Sequence, residues 1–483
     1  MSASIGALAL AGVIAVPGLG ALALAAIPSY RISAPLNAVF CALTLVCAGL
    51  LYEFRPAPTL YLLVDDVNTV FLITGGIVGF TTSVFSAGYI AHEIESRRLR
   101  PRDLRFYHAM YQVLMMAMNL ALVSNNIGLM WVAIEVATLT TVVMVGLYRT
   151  NAALEAAWKY FILGSVGIAL ALFGTILVYL AAQGELGQGV AAMAWDRLVA
   201  SSARCDPALL NLSFVFLLLG YGTKVGLVPV HAWLPDAHAE GPTPISAVLS
   251  GLLLNVALFA LLRFKLIMAG NPAVISPGPL MVTLGLVSVV FAGFMLFRRR
   301  DIKRLFAYSS IEHMGIITLA FGLGGPLANF AGLLHMAMHS LTKSGIFFGV
   351  GYVSQLEGTQ RIAEIRGLTR SAPALGWMLV AAVVAICGMP PFGVFTAEFL
   401  LVTSTFARSA WLGVALVFGI AIAFSALMLR LHGIAFGEPR KAHAMPVYRL
   451  APLGLHLLLV AIAGVYLPSA VIVWFRHVAS LLR

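Results

Sequence analysis

The sequence predicts an all-α polytopic membrane protein with about fourteen transmembrane helices. Of its 483 residues, 61% are hydrophobic and 10% are charged, whereas soluble domains carry roughly 25% charged residues. The apolar residues form runs of about 20, the length that an α-helix needs to cross a bilayer. Runs of this length exceed a barrel strand, so helices are predicted for every span.

The apolar runs place the predicted spans in order along the chain. Their approximate cores are residues 4–28, 34–53, 64–90, 107–124, 126–148, 155–181, 211–230, 242–267, 274–297, 302–322, 326–352, 373–402, 405–434 and 449–475. No soluble domain or low-complexity linker fits between them. Residues 1–483 are therefore predicted to form a single transmembrane domain.

The net charge of +11 is concentrated in a few short loops. The densest are "ESRRLRPRDLR", "FRRRDIKR", "RIAEIRGLTR" and "GEPRKAHAMPVYR", which follow the third, ninth, eleventh and thirteenth predicted spans. Under the positive-inside rule these odd-numbered loops are cytoplasmic, so both termini are expected on the other side. This distribution favours a lipid bilayer, rather than nucleic acid, as the reason for the basic charge.

Two predicted spans contain helix-breaking residues. In the seventh, Lys224 is followed by "GLVPVHAWLPDAHAEGPTP", and in the twelfth, "GMPPFG" precedes Glu398. Broken helices are tolerated in membranes where they line a cavity or the protein interior. Because the breaks lie five spans apart, spans four to eight (residues 107–267) and nine to thirteen (residues 274–434) are predicted to be two inverted repeats.

Ionisable residues inside apolar spans cost about 2.5–3.5 kcal/mol each and are usually functional. Glu135 lies in "LMWVAIEVATLTT", Lys159 in "LEAAWKYFILGS", and Lys224 and Glu398 lie beside the two breaks. They fit a proton or cation path, and the rival interpretation is an ion pair that only locks helices together. For Lys159, near a span end, snorkelling to the interface is a further alternative. Glu135 and Lys224 are expected to pair, because a buried unpaired charge is far costlier.

A third group lies in "HMAMHSLTKSGIFF". His335, His339 and Lys343 fall at i, i+4 and i+8 and so form one stripe on a helix. They are predicted to line a hydrated proton path, because histidine titrates near neutral pH; the alternative is histidines hydrogen-bonded to neighbouring backbone. A metal site is not predicted, since "HMAMH" lacks the glutamate of HExxH and no cysteine or carboxylate cluster completes a shell.

No cofactor is predicted for this chain. Its four cysteines have no CxxC or CxxCH spacing, which argues against an iron–sulfur cluster or a covalent haem; they are Cys41, Cys47, Cys205 and Cys387.

Four segments resemble the signature segments of a known family. They are "GYGTKVGLVPVHAWLPDAHAEGPTPISAVLSG", "RRDIKRLFAYSSIEHMGII", "HMAMHSLTKSGIFF" and "GMPPFGVFTAEF". Together they are similar to the antiporter-like subunits, which include the L, M and N subunits of respiratory complex I and the large Mrp antiporter subunits. The run "LPDAHAEGPTPISAVLSGLLLNVALFALLRF" is similar to component F of the hydrogenase-4 and formate hydrogenlyase group.

The resemblance implies roles for individual residues in the first half of the chain. Glu135 matches the fifth-span glutamate of the family, and Lys224 matches the seventh-span lysine of its half-channel pair. Lys159 matches a sixth-span lysine of some members. Where several relatives carry a lysine or histidine in the eighth span, this chain has Asn255, which cannot titrate. This departure puts a direct side-chain hop between the two halves in doubt.

In the second half, the resemblance places His335 and His339 on the polar central axis, and Glu398 at the twelfth-span exit. It implies a proton-translocating membrane subunit of a complex I-like or hydrogenase-4-type complex in a bacterial or archaeal cytoplasmic membrane. Redox chemistry would then occur in partners, such as other membrane subunits and a peripheral [NiFe] hydrogenase-like or quinone-reducing arm. Alternatives are an Mrp-type Na⁺/H⁺ antiporter subunit and a membrane anchor that moves no ion.

Overall fold

A computed structural model describes residues 2–439, 441–443 and 445–482, with residues 2, 3, 101, 102 and 104 described by their backbone alone. Over these ranges the regular structure is helical. Three isolated β-bridges are also present, and none of them extends into a strand. The predicted all-α class is confirmed. Eleven helices within this part of the chain are long and apolar enough to cross a membrane.

Among the described residues, the first half of the chain forms eleven α-helices. They are α1 (Ser2–Ala26), α2 (Tyr30–Glu53), α3 (Asp66–Glu95), α4 (Pro101–Val123), α5 (Ile127–Val145), α6 (Asn151–Leu186), α7 (Trp195–Ser201), α8 (Pro207–Val225), α9 (Trp233–Glu240), α10 (Thr243–Val248) and α11 (Leu254–Ala269). A π-helical segment, Leu249–Leu253, joins α10 to α11, so together they form one continuous span.

The described part of the second half forms nine α-helices. They are α12 (Gly278–Phe297), α13 (Ile302–Leu323), α14 (Pro326–Glu357), α15 (Leu368–Ser371), α16 (Pro373–Ile386), α17 (Gly393–Arg408), α18 (Ala410–Ala435), α19 (Ala451–Val465) and α20 (Ser469–Leu481). The predicted fourteenth span is corrected here, because it is divided into α19 and α20. Pro468 lies at the start of α20 with a non-helical backbone (ψ 138°), and proline lacks the N–H that a continuing helix would use.

Polar residues at the helix starts explain several boundaries. A side-chain oxygen accepts hydrogen bonds from backbone N–H groups of the first turn at Asp65, Asn126, Thr150, Asp206 and Asp301. Such caps satisfy donors that would otherwise have no partner at a helix end. Each cap stands directly before its helix and therefore determines where the helix begins.

The two predicted helix breaks are confirmed. In the seventh span α8 ends at Val225, the next residue, Gly226, has a left-handed backbone (φ +84°), and α9 resumes the span at Trp233. In the twelfth span α16 and α17 are separated by residues 387–392, with Gly388 at φ +65°. The predicted repeats, residues 107–267 and 274–434, stay a prediction.

Glycines bring the helices that carry the ionisable residues close to their neighbours. A Cβ atom at Gly220 in α8 would lie 2.5 Å from the backbone nitrogen of Ala171 in α6. In the second half, a Cβ at Gly315 in α13 would lie 2.7 Å from the carbonyl oxygen of Gly285 in α12. Small residues allow such close backbone packing in membranes. Most of the span from α10 to α11 is buried by its neighbours, and α13 and α14 are also mostly buried.

Candidate functional site

Glu135 and Lys224 form an ion pair between α5 and α8. Nζ of Lys224 lies 3.9 Å from Oε2 of Glu135, and the side chains are 1% and 19% exposed for the lysine and the glutamate, respectively. The expected approach of these two residues is therefore found in the structure. At 3.9 Å the contact is an ion pair rather than a hydrogen bond, so a small movement can strengthen or break it.

The end of the broken helix confines the lysine. Gly164 in α6 leaves space for the ammonium group, since a Cβ atom there would lie 3.0 Å from Nζ of Lys224. Nε1 of Trp233, at the start of α9, donates a hydrogen bond of 2.7 Å to the carbonyl oxygen of Thr223. Tyr160 stacks on Trp233 with ring centroids 4.1 Å apart. The residues after the break therefore help to fix the last turn of α8, which carries Lys224.

A second cluster forms where α13, α14 and α17 meet. His313 and His335 share a hydrogen bond of 2.9 Å between Nδ1 and Nε2. Nδ1 of His313 also lies 4.0 Å from Oε1 of Glu398, and its Nε2 lies 3.2 Å from Oε2 of Glu312. All four side chains are buried. The cluster can pass a proton between ring nitrogens and carboxylates within hydrogen-bonding or near hydrogen-bonding distance.

The break in the twelfth span makes room for Glu398. A Cβ atom at Gly388 would overlap with Oε2 of Glu398, and the left-handed backbone of Gly388 is one that L-residues rarely adopt. Glycine at this position therefore serves both the turn and the close approach of the carboxylate.

His339 and Lys343 continue the cluster along α14. The ring centroid of His339 lies 5.6 Å from that of His313, and both residues are buried. Nζ of Lys343 donates a hydrogen bond of 3.1 Å to the carbonyl oxygen of Phe306 and is close enough to Glu312 to interact electrostatically. The predicted stripe of His335, His339 and Lys343 thus faces the protein interior rather than lipid.

Asn255 lies between the two halves. Its Nδ2 donates hydrogen bonds of 2.7 Å to Oγ of Ser340 and 3.0 Å to the carbonyl oxygen of Gly251. Ser340 follows His339 directly in α14. Asn255 therefore connects the span from α10 to α11 with α14, the helix that carries His335 and His339. Its amide side chain does not titrate.

Lys159 stands apart from these buried residues. Its Nζ pairs with Glu155 at 2.6 Å and with Asp236 at 3.3 Å, and its side chain is 48% exposed. These contacts correspond to the alternative of an interfacial lysine, and a role in the proton path stays a prediction.

Several buried ionisable residues were not singled out from the sequence. Glu312 and His313 are adjacent in "SSIEHMGII", and two ionisable residues inside an apolar run were a signal that could have found them. Lys303 donates hydrogen bonds to the carbonyl oxygens of Ala239 and Gly241, at 3.0 and 2.5 Å. His238 stacks on Phe347 with ring centroids 4.9 Å apart.

The fold and these residues define a class of protein. It is a multi-pass helical membrane protein in which a lysine–glutamate pair lies beside one broken helix and a histidine–glutamate cluster beside another.

Comparison with known proteins gives the family. A family profile described as "NADH:quinone oxidoreductase/Mrp antiporter, TM" matches residues 124–425. The chain is 59% identical over 474 residues to the hydrogenase-4 component F homolog of Methylacidiphilum infernorum (isolate V4), an alignment that covers 98% of this chain and 99% of that protein. The chain belongs to the NADH:quinone oxidoreductase/Mrp antiporter family of antiporter-like membrane subunits.

Solved structures share the fold at lower sequence identity. One chain of the membrane-bound sulfane sulfur reductase, an archaeal respiratory membrane complex, has a TM-score of 0.87 and 22% identity, with 98% of this chain and 97% of that chain covered. A chain of the Mrp complex from Dietzia sp. DQ12-45-1b has a TM-score of 0.84 and 18% identity, with the same coverage. Both of these chains come from larger complexes.

Proposed function

We propose that this chain is a proton-translocating membrane subunit of a complex I-like, hydrogenase-4-type energy-converting complex. The observation that carries the proposal is the ion pair between the half-buried Glu135 and the buried Lys224, 3.9 Å apart beside a broken helix. The 59% identity to a hydrogenase-4 component F homolog supports the type of complex.

The pair is suited to couple a movement to a proton. Two unit charges 3.9 Å apart attract by on the order of 4 kcal/mol at an effective dielectric constant of about 20. Since about 1.4 kcal/mol is a tenfold change in an equilibrium, separating the pair changes the protonation equilibria by roughly a thousandfold. A conformational change that moves α5 relative to α8 would thereby drive uptake or release of a proton at Lys224.

The proton would continue through the second cluster. Lys343 and His339 lead along α14 towards the hydrogen bond between His313 and His335, and Glu398 lies at the edge of this cluster. Asn255 interrupts the titratable row between the halves, so transfer at this point would use bound water rather than a side-chain hop.

The proposal extends to the surroundings of the chain. We place it in a bacterial or archaeal cytoplasmic membrane, with the basic odd-numbered loops inside and both termini outside. Redox chemistry would take place in a partner, a [NiFe] hydrogenase-like or quinone-reducing arm. Other membrane subunits would transmit the conformational change of that arm to this chain.

One experiment tests both parts of the proposal. The complex is purified through a tag on this chain, its subunits are identified, and redox-driven proton uptake is measured in proteoliposomes for the parent and Glu135→Gln. The variant is expected to lose proton uptake while the redox reaction continues. Glu185→Gln is the matched control, because Glu185 lies at the end of α6 and pairs with the exposed Arg204. Parent-like uptake by Glu135→Gln would contradict the proposal.

The identity of the partners separates the alternatives. Small Mrp-like membrane proteins together with sodium-dependent transport would indicate a Na⁺/H⁺ antiporter subunit. A redox arm that turns over without any proton movement in the parent would indicate a membrane anchor.

A further inference from the structure

Three helices each contribute one potential metal-ligand atom to a small region of the protein interior. His313 in α13, His335 in α14 and Glu398 in α17 offer atoms that all lie within 4.8 Å of one another. The two measured separations from Nδ1 of His313 are 2.9 Å to His335 and 4.0 Å to Glu398. Zinc bonds of about 2.0–2.2 Å in a tetrahedral site place the ligand atoms roughly 3.4 Å apart. These two separations lie on either side of that value, and the third, between His335 and Glu398, is at most 4.8 Å, so shifts of roughly an ångström would form the site.

The donor set is one that zinc favours. Two imidazoles and one carboxylate hold zinc with a fourth position left for water or another ligand. In such sites the histidine usually donates its second N–H to a carboxylate, which orients the ring. Glu312 is placed to take that role when a metal ion binds, since its Oε2 lies 3.2 Å from Nε2 of His313, although the two atoms form no hydrogen bond in the structure. Nδ1 of His313 faces His335 and Glu398.

Burial and unpaired ring nitrogens are a second, independent observation. Both ring nitrogens of His339 are buried and have no hydrogen-bond partner among the described residues. His339 lies beside the cluster, with its ring centroid 5.6 Å from that of His313. A ring nitrogen of His339 is therefore a candidate for the fourth coordination position of the metal ion.

Two carboxylates flank the ligands. Those of Glu312 and Glu398 lie on opposite sides of His313, and in their ionised forms their combined charge of −2 would offset that of Zn²⁺, against which the nearby ammonium group of Lys343 acts. Glu398 is the most exposed member, with a side chain 10% exposed against 1% for His313. An ion would therefore enter beside Glu398.

We propose that His313, His335 and Glu398 bind a divalent transition-metal ion of the zinc class, which takes the place of the hydrogen bond between the two histidines. The binding of the metal ion is inferred from the ligand residues and does not depend on the proposed function. Its consequence rests on the proposed function: a metal ion that occupies both ring nitrogens removes a step of the proton path, so zinc inhibits translocation.

The test measures zinc directly. The purified complex is stripped of loosely held metal, equilibrated with ZnCl₂ and washed, and zinc per complex is determined by mass spectrometry for the parent, His335→Gln and His477→Gln. The parent and His477→Gln are expected to hold one zinc more than His335→Gln. His477 is the control because it lies on α20 with a side chain 57% exposed. Equal zinc contents in all three proteins would overturn the site.

A second variant guards against a folding defect in His335→Gln. Glu312→Gln keeps the shape of the side chain and all three ligands, and loss of an outer-shell carboxylate typically weakens metal affinity about 10- to 100-fold. It is expected to bind zinc at higher concentration with the same histidine scattering in the zinc-edge X-ray absorption spectrum. Unchanged affinity, or a spectrum without imidazole scattering in the parent, would contradict the proposed ligands.

Inhibition is measured separately in proteoliposomes. Zinc is expected to slow redox-driven proton uptake by the parent at the concentration that fills the site. A filled site with unchanged proton uptake would overturn inhibition and leave binding in place. A parent that moves no proton would contradict the proposed function, and the zinc content would still decide the metal site.

Discussion

Nδ2 of Asn255 donates a 2.7 Å hydrogen bond to Oγ of Ser340, the residue that follows His339 in α14. The contact joins the two halves of the chain through polar atoms that cannot titrate. At Asn255 a proton path through bound water can therefore be distinguished from a path through titratable side chains.

Asn255→Leu is expected to slow proton translocation, because leucine removes the hydrogen bond to Ser340 and dries the region. The variant also loses the hydrogen bond to Gly251, so stability should fall by about 2 kcal/mol, at about 1 kcal/mol for each hydrogen bond. Asn255→Lys should be tolerated, since it supplies a titratable group at the same place. Redox-driven proton uptake in proteoliposomes measures both variants. Equal rates for the leucine variant and the parent would mean that protons do not pass this point.

The pair of Glu135 and Lys224 is expected to act as a unit. Glu135→Gln and Lys224→Met should each reduce proton translocation by at least about tenfold, because each removes an attraction on the order of 4 kcal/mol. The double variant should be little worse than either single variant. Translocation is measured at equal redox turnover, so that a loss of assembly is not mistaken for a loss of coupling. Fully additive losses in the cycle would show that the two residues are independent.

His339→Ala is expected to slow coupled proton movement while the complex still assembles. The ring of His339 is buried beside His313 and makes no hydrogen bond with the residues that the structure describes. Its removal therefore breaks no hydrogen bond among them. Proton uptake and the yield of intact complex are both measured. The control is His432→Ala, an exposed histidine on α18. Normal pumping by an assembled His339→Ala protein would mean that the histidine stripe is structural.

Gly388→Ala is expected to displace the carboxylate of Glu398 and reduce translocation. Alanine in a left-handed conformation costs about 1–2 kcal/mol, and its Cβ would also overlap with Oε2 of Glu398. Gly358→Ala has a left-handed backbone (φ +67°, ψ 13°) as well but meets open space, so it separates strain from displacement. Thermal stability and proton uptake are compared for the two. A similar loss of uptake in both variants would assign the effect to strain alone.

The orientation follows from the basic loops and can be tested by cysteine labelling. A cysteine at Arg98 should react with a membrane-impermeant reagent only from the cytoplasmic side, and one at Gln188 only from the other side. Both positions are exposed, while Cys41, Cys205 and Cys387 of the parent are buried. Labelling of the Arg98 position from outside the cell would reverse the orientation and weaken the inverted-repeat prediction.

Much of the fold could be predicted because the signals are local. Apolar runs located the membrane helices, and the prolines and glycines after Lys224 and before Glu398 located the two breaks, since the bilayer restricts the backbone in the same way wherever a span lies. The division of the last span at Pro468 was also encoded locally but was missed, because its hydropathy remains high on both sides of the proline.

The sequence by itself determined the membrane class, the breaks and the cost of leaving Glu135 or Lys224 unpaired, because each depends on one short segment or on the desolvation of one charge. Only the tertiary structure decided which faces of the helices meet. It joined His313 to His335, 22 residues away, brought Glu398 to them from a third helix, and placed Lys159 at a half-exposed ion pair instead. Helical periodicity shows that residues share a face, but the neighbour of that face is set by packing between distant spans.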